Sequence, residues 1–229
     1  MPGARRLATM ARRLPHHCLV SSRPRGPLAT EAASGPTGPS SNPPTFLFTD
    51  VEGSTRLWER HPDQMRSALA RHDLILSTAI GVASGAIVKT TGDGMMAVFA
   101  SPADALAAGI AAQQALAAEP WPDTCAIRVR MGIHTGAADA RGGDFFGPAV
   151  NRTARIMAAG HGGQILLSRA VHSAVVEAPA YEMRQLGSYR LRGIPDEHEI
   201  FQLLAPDLAD GFPPLRLDEG AGDGYRIPH

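Results

Sequence analysis

Lys89 is the single lysine of a 229-residue chain with 22 Lys+Arg, so 22 − 1 = 21 basic residues are arginine. A composition this biased toward arginine replaces lysines that only carry surface charge. A survivor marks a position that needs a compact, flexible ammonium rather than a planar fork. Lys89 stands four residues before Asp93 in Lys89-Thr90-Thr91-Gly92-Asp93-Gly94, and a second apolar run, Phe46-Leu47-Phe48-Thr49-Asp50, also ends in an aspartate. A strand tip and a hairpin turn can bring these two carboxylates together. Such a pair suits Mg²⁺, which takes hard oxygen ligands and leaves other positions to water and substrate phosphates. A carboxylate pair bridging two metals is also an arrangement for in-line displacement at phosphorus.

Two further groups fit phosphate chemistry. Val51-Glu52-Gly53-Ser54-Thr55 reads as a strand-to-helix turn whose free backbone N–H groups and helix dipole favour an anion, with Gly53 allowing close approach. It lacks the Gly-Lys-Ser/Thr of a P-loop. Asn151 and Arg155, four apart on an expected helix, share one face. An amide and a guanidinium placed so can orient a ribose and hold charge on a phosphoryl group. Arg152 points elsewhere and is expected to be solvated. Taken singly, the same residues also fit blander roles: a strand-end cap at Asp50, an ordinary turn at Asp93, a surface pair at Asn151/Arg155.

The elements that must position these groups follow from periodicity. Thr45–Asp50 reads as a buried strand, and Ser54 or Thr55 as the N-cap of a long helix to about Thr78, irregular near Pro62. Ala86–Thr91 and Met95–Phe99 are strands joined by a Gly-Asp-Gly turn. Ser101-Pro102 opens a helix to about Glu119. Ile127–His134 alternates as a strand, Gly142-Gly143 is a flexible joint, and Gly147–Ala159 is a helix. Gln164–Ser168, a short helix to Val176, and a ribbon over Tyr181–Leu191 and His198–Leu203 complete a βαββαβαβαββ order. That order predicts one α+β domain over 45–205, with helices packed on one side of the sheet.

Outside that span the composition changes. Residues 1–44 carry six arginines, one acid and a Gly/Pro/Ser run, and read as a disordered tail, an Arg-rich leader or an early start codon. Residues 206–229 read as a linker or tail. Lys+Arg 22 against Asp+Glu 22 gives zero net charge, so nothing overall asks for nucleic acid or an anionic membrane. No apolar stretch reaches the ~18–20 residues needed to cross a bilayer. Cys18 and Cys125 lie in unlike contexts, which predicts no disulfide and a reducing, cytoplasmic setting.

Phe48 through Thr55, Lys89 through Gly94, Gly132-Ile133-His134-Thr135-Gly136 and Asp144 through Arg155, in this order, resemble the class III nucleotidyl cyclase catalytic domain, over about residues 45–204. The likeness is greatest to the bacterial branch that carries such a domain ahead of ATPase and helix-turn-helix regulator domains. The resemblance implies a ferredoxin-like, palm-type, antiparallel-rich sheet. Asp50 and Asp93 would bind two Mg²⁺ or Mn²⁺ ions, with the Val51 carbonyl a further ligand. Glu52, Gly53, Ser54 and Thr55 would line the triphosphate, Lys89 and Asp144 would read the base, Asn151 would place the ribose, and Arg155 would stabilise the transition state. It also implies a head-to-tail homodimer with composite sites. The metals would come from one subunit and Lys89, Asp144, Asn151 and Arg155 from the other.

Hydrogen bonding then selects the base. Adenine presents an acceptor at N1 and a donor at N6. Lysine only donates and ionised aspartate only accepts, so Lys89/Asp144 matches adenine. Guanine would leave a mispaired polar group costing roughly 1–3 kcal/mol, so ATP is expected over GTP by at least about tenfold. One position departs from the family pattern: the phosphate-contacting lysine of active relatives aligns with Ile194, with Arg190 and Arg192 as possible replacements. That departure keeps open a cyclase-like regulatory module of weak or no activity. A diguanylate cyclase, suggested by Arg141-Gly142-Gly143-Asp144-Phe145, is disfavoured because an aromatic stands where that family requires a carboxylate.

Overall fold

The computed structural model describes residues 42–177 and 181–217. The expectations for residues 1–41 and 218–229, Cys18 included, fall outside this range. β1 (Thr45–Val51) is a buried strand inside the sheet, hydrogen-bonded on both sides. Gly53, at φ 69°, starts α1 (Ser54–Arg60), so neither Ser54 nor Thr55 is the cap. The single long helix expected here is broken at His61 (φ −141°, ψ 57°), and α2 (Pro62–Val82) begins anew. The cause is Pro62, whose ring pushes the preceding residue out of the helical region but suits a first helical position.

β2 (Ala86–Thr90) and β3 (Met95–Phe99) form the expected hairpin. The Ser101 side chain caps α3 (Pro102–Ala118) by accepting from the Ala103 amide at 3.2 Å. β4 (Val129–Thr135) lies antiparallel to β1. Gly142 and Gly143, at φ 58° and 81°, are the two central residues of a tight turn between β5 (Asp139–Arg141) and β6 (Asp144–Phe146), where a joint was expected. A Gly-Gly pair is a recognised signal for such a hairpin. α4 (Pro148–Ala158), β7 (Ile165–Ser168), α5 (Arg169–Val175), β8 (Glu182–Arg190) and β9 (Glu197–Leu204) complete the order.

The main sheet runs β2-β3-β1-β4-β7-β9-β8, antiparallel except at β4/β7. Alternation along the strands makes two cores. Leu47, Met95, Ala97, Met131 and Ile133 face Met65, Leu76, Ile80 and Leu106 of α2 and α3, with Val171 of α5 in the same cluster. Phe46 and Met96 face the other way, onto Ala149 of α4. The expected one-sided helix layer therefore holds for α2, α3 and α5, and α4 covers the opposite face. Gly132 explains how: a Cβ there would fall 2.4 Å from the Met157 amide nitrogen, so the helix backbone rests directly on β4. Residues 206–217 are not a loose tail either. Leu215 and Leu217 pack against the cluster of Ile156, Ala159, Leu166, Leu191 and Ile200.

Candidate active site

β1 ends by delivering Asp50 opposite Arg130 of β4. Arg130 Nε and Nη2 both donate to Asp50 Oδ2, at 2.8 and 2.6 Å. The β2–β3 hairpin carries Asp93 to the same place. A Cβ on Gly94 would meet the Thr49 carbonyl oxygen at 2.5 Å, and the Met95 amide donates to Thr49 Oγ1 at 3.0 Å, so the hairpin is clamped to the end of β1. The carboxylates sense each other. Burial pushes the Asp50 carboxyl above its ordinary range, Arg130 opposes this by hydrogen bond and charge, and the Asp93 charge adds to the upward push. Asp93 Oδ2 is buried without a hydrogen-bond partner. An unsatisfied buried carboxylate oxygen beside a second acid is unfavourable in isolation and suits a divalent cation. Among the described residues no cluster of three or more His, Cys, Asp or Glu could hold a metal. A cation here would therefore rest on two carboxylates and draw further oxygens from backbone, water or a phosphate substrate, the habit of Mg²⁺.

The turn after β1 is occupied in part. Val51 is buried, and the Glu52 amide donates to the Arg128 carbonyl at 2.8 Å, so it is not free for phosphate. The Glu52 side chain is engaged by Arg216. The amides of Gly53, Ser54 and Thr55 meet no acceptor among the described residues. Lys89 and Asp144, 55 residues apart, meet directly: Lys89 Nζ donates to Asp144 Oδ2 at 2.6 Å. Lys89 lies opposite Met96, on the Phe46 face, with its Nζ 5.9 Å from the Phe146 ring centroid. The Lys89 hydrogen bond, then the Phe145 amide, hold the Asp144 carboxyl below its ordinary range. Both side chains remain open to solvent, at 40% and 29% exposure, so the pair can be approached by a ligand.

α4 buries Ala149, Thr153 and Ile156 and presents Asn151 and Arg155 outward. Neither side chain makes a hydrogen bond or ion pair among the described residues. Arg152 is not solvated as expected. It is half-buried, its Nε has no partner, and its charge acts on His134 and His198. The helix turns only 100° per residue, so position 152 falls between the buried and exposed faces. His134 is itself buried, 2.8 Å from Ser168 Oγ, and burial first, then Arg152, depresses its imidazole to about 4.

Residues 39–205 match the family described as the adenylate and guanylate cyclase catalytic domain. The chain belongs to this class III cyclase family. An uncharacterized protein of Mycobacterium tuberculosis is 38% identical over 177 residues, 75% of this chain and 59% of that protein. This chain thus spans about three fifths of the length of the mycobacterial relatives it matches. A receptor-type adenylate cyclase of Trypanosoma congolense is 30% identical over 221 residues, 77% of this chain and 30% of that protein. A solved adenylate cyclase from Trypanosoma brucei, in its monomeric state, superposes with a TM-score of 0.72 at 29% identity, covering 78% of this chain and 94% of that one.

Within this cyclase domain, one feature escaped sequence reasoning. Arg130 is the partner of Asp50, a pairing that needs the β1/β4 register. Its signal was the arginine on the polar side of an alternating strand. Ile194, singled out in the sequence, packs against the Ile156/Leu166 cluster and lies in a turn with its amide on the Leu191 carbonyl. Of the suggested replacements for a lysine there, Arg190 faces Glu197 at 3.7 Å.

Proposed function

We propose that this cyclase domain is an adenylate cyclase, converting ATP to 3′,5′-cyclic AMP and pyrophosphate. The observation that supports this most is the Lys89–Asp144 pair, one donor and one acceptor side by side in an exposed position. That order matches N1 and N6 of adenine and mismatches O6 and N1 of guanine.

The residues divide into two sets. Asp50, Asp93 and the Val51 carbonyl would hold two Mg²⁺ or Mn²⁺ ions, which when bound acidify the ribose 3′-hydroxyl and neutralise phosphate charge. Gly53, Ser54 and Thr55 offer free amides to the phosphates. Arg130, which pairs with Asp50, would stand beside the same phosphates if a cation replaced it there. Asn151 orients the ribose. Arg155 stabilises charge on the α-phosphoryl group as the 3′-oxygen bonds to phosphorus, the bond to the bridging oxygen breaks, pyrophosphate leaves and the hydroxyl proton passes to solvent. Positioning and charge neutralisation supply most of the acceleration in such transfers.

Asn151 and Arg155 project outward without partners. This supports a head-to-tail homodimer in which they serve the metal site of the other subunit. A weakly active, nucleotide-holding module is the second reading, favoured by the packed Ile194. Product identity separates them. The chain incubated with Mg²⁺ or Mn²⁺ and either ATP or GTP is expected to yield cyclic AMP from ATP, at least about tenfold faster than cyclic GMP from GTP. Asp93→Ala is expected to abolish the product. An Asp93→Ala protein as active as wild type would refute the assignment, and wild type binding nucleotide without turnover would establish the module.

A further inference from the structure

The segment after β9 reaches both halves of this site. Phe212 stacks on His161, with ring centroids 6.4 Å apart and planes at 11°. His161 Nε2–H donates to the Pro214 carbonyl at 2.9 Å, and its Nδ1 accepts from Arg216 Nε at 3.2 Å, which defines the tautomer. Arg216 Nη2 donates to Glu52 Oε1, and the Arg216 amide donates to the carbonyl of Ala159, the C-cap of α4, at 2.9 Å. Leu215 and Leu217 pack against the cluster in which Ile156 and Ala159 of the same helix end join Leu166, Leu191 and Ile200. A cavity of about 680 Å³ lies beneath, bordered by Glu52, Trp121, Arg128, His161 and Phe212. Upstream, Leu208 packs against the main core and the Asp210 carbonyl accepts from Arg184 and Gln202, so it is residues 212–217 that carry the contacts toward β1 and α4.

Glu52 directly follows Asp50-Val51, and α4 carries Asn151 and Arg155. We infer that residues 212–217 are a positioning strap that ties the acid-bearing end of β1, through Arg216 and Glu52, to the C-terminal end of α4. This deepens the cyclase reading and rests on it. In a head-to-tail dimer the two tied elements serve different sites, so each strap would link the metal end of one site to the transition-state arginine of the other. Arg216 acts through Glu52 and touches no reacting atom, so it is a positioning residue.

The test uses the full chain with Mn²⁺-ATP. Arg216→Ala is expected to raise KM about fivefold, the size of effect a partly exposed ion pair carries, with kcat within about twofold. Arg216→Lys should recover most of the loss. Glu52→Gln should match Arg216→Ala, and the double variant should be no worse than either, because both remove one interaction. Leu215→Ala should instead lower kcat, by about fivefold, through α4. Unchanged KM in Arg216→Ala, or full additivity with Glu52→Gln, would overturn the strap. A second readout needs no turnover. Hydrogen exchange at the Arg56 and Leu57 amides, which bond to the Gly53 carbonyl, should quicken in Arg216→Ala. If wild type makes no cyclic nucleotide, the cyclase reading fails by itself. The strap is then decided by exchange alone: faster exchange upholds it and unchanged exchange refutes it.

Discussion

At the scale of single residues, the candidate site is a set of paired charges. Arg130 neutralises Asp50, and Lys89 neutralises Asp144. Each pair holds its side chains in place, so binding at the proposed site would exchange one partner for another rather than order loose groups. Base choice should follow the donor–acceptor order of the second pair. The double substitution Lys89→Glu with Asp144→Cys reverses that order, and the ratio of kcat/KM for ATP to that for GTP is expected to fall by at least about tenfold. A double variant that still prefers ATP as strongly as wild type would show that these two side chains do not read the base.

At the scale of elements, α4 and β4 are the joint on which the site depends. The Gly132 contact lets α4 sit on the sheet with Asn151 and Arg155 facing out. Gly132→Ala would drive a methyl group into the Met157 backbone and is expected to cost about 1–3 kcal/mol, read as a lowered midpoint in urea unfolding. Activity should fall with it, because the helix must move away from β4. The same joint buries His134, whose imidazole titrates near 4 against an ordinary 6.5. As pH falls through 6.5 the unfolded chain takes up the proton and the folded chain does not, so stability is complete above 6.5 and declines toward 4. The His134 contribution between pH 7 and pH 5 is a loss of about 2 kcal/mol. His134→Gln should flatten the dependence of unfolding free energy on pH by that amount. An unchanged slope would mean the imidazole is accessible to protons in the fold.

At the scale of the whole molecule, the proposed dimer makes a prediction that no single subunit can satisfy. Asp93→Ala lacks the acid set and Arg155→Ala the arginine, and each should be inactive alone. In a mixed head-to-tail dimer one site combines both lesions and the other has neither. An equimolar mixture should therefore regain about a quarter of wild-type activity by random pairing. A mixture that stays at background would place both residue sets in one subunit. Within the described residues no helix is long and apolar enough to cross a membrane.

Much of this was legible in the chain. The motifs at 48–55, 89–94, 132–136 and 144–155 give the family, because each joins a strand end or helix face to a residue type with restricted chemistry. The strands of the main sheet, α3 and α4 were visible because hydrophobic period and caps are local properties. The break at His61 was foreshadowed by Pro62, and the β5–β6 turn by Gly142-Gly143. Three features needed tertiary structure. The Asp50–Arg130 pair depends on a strand register 80 residues apart in sequence. The placement of α4 opposite the other helices depends on the missing side chain at Gly132, between Arg130 and His134 on one face of β4. The segment 206–217, with three prolines, reads in sequence as part of a linker or tail over 206–229. Its anchors, Leu208, Asp210, Phe212, Leu215, Arg216 and Leu217, have no periodicity, and their partners are adjacent only in the folded chain. Local composition determines which residues can do chemistry and which elements carry them. Which carboxylate meets which cation is a long-range contact, and only the folded chain decides it.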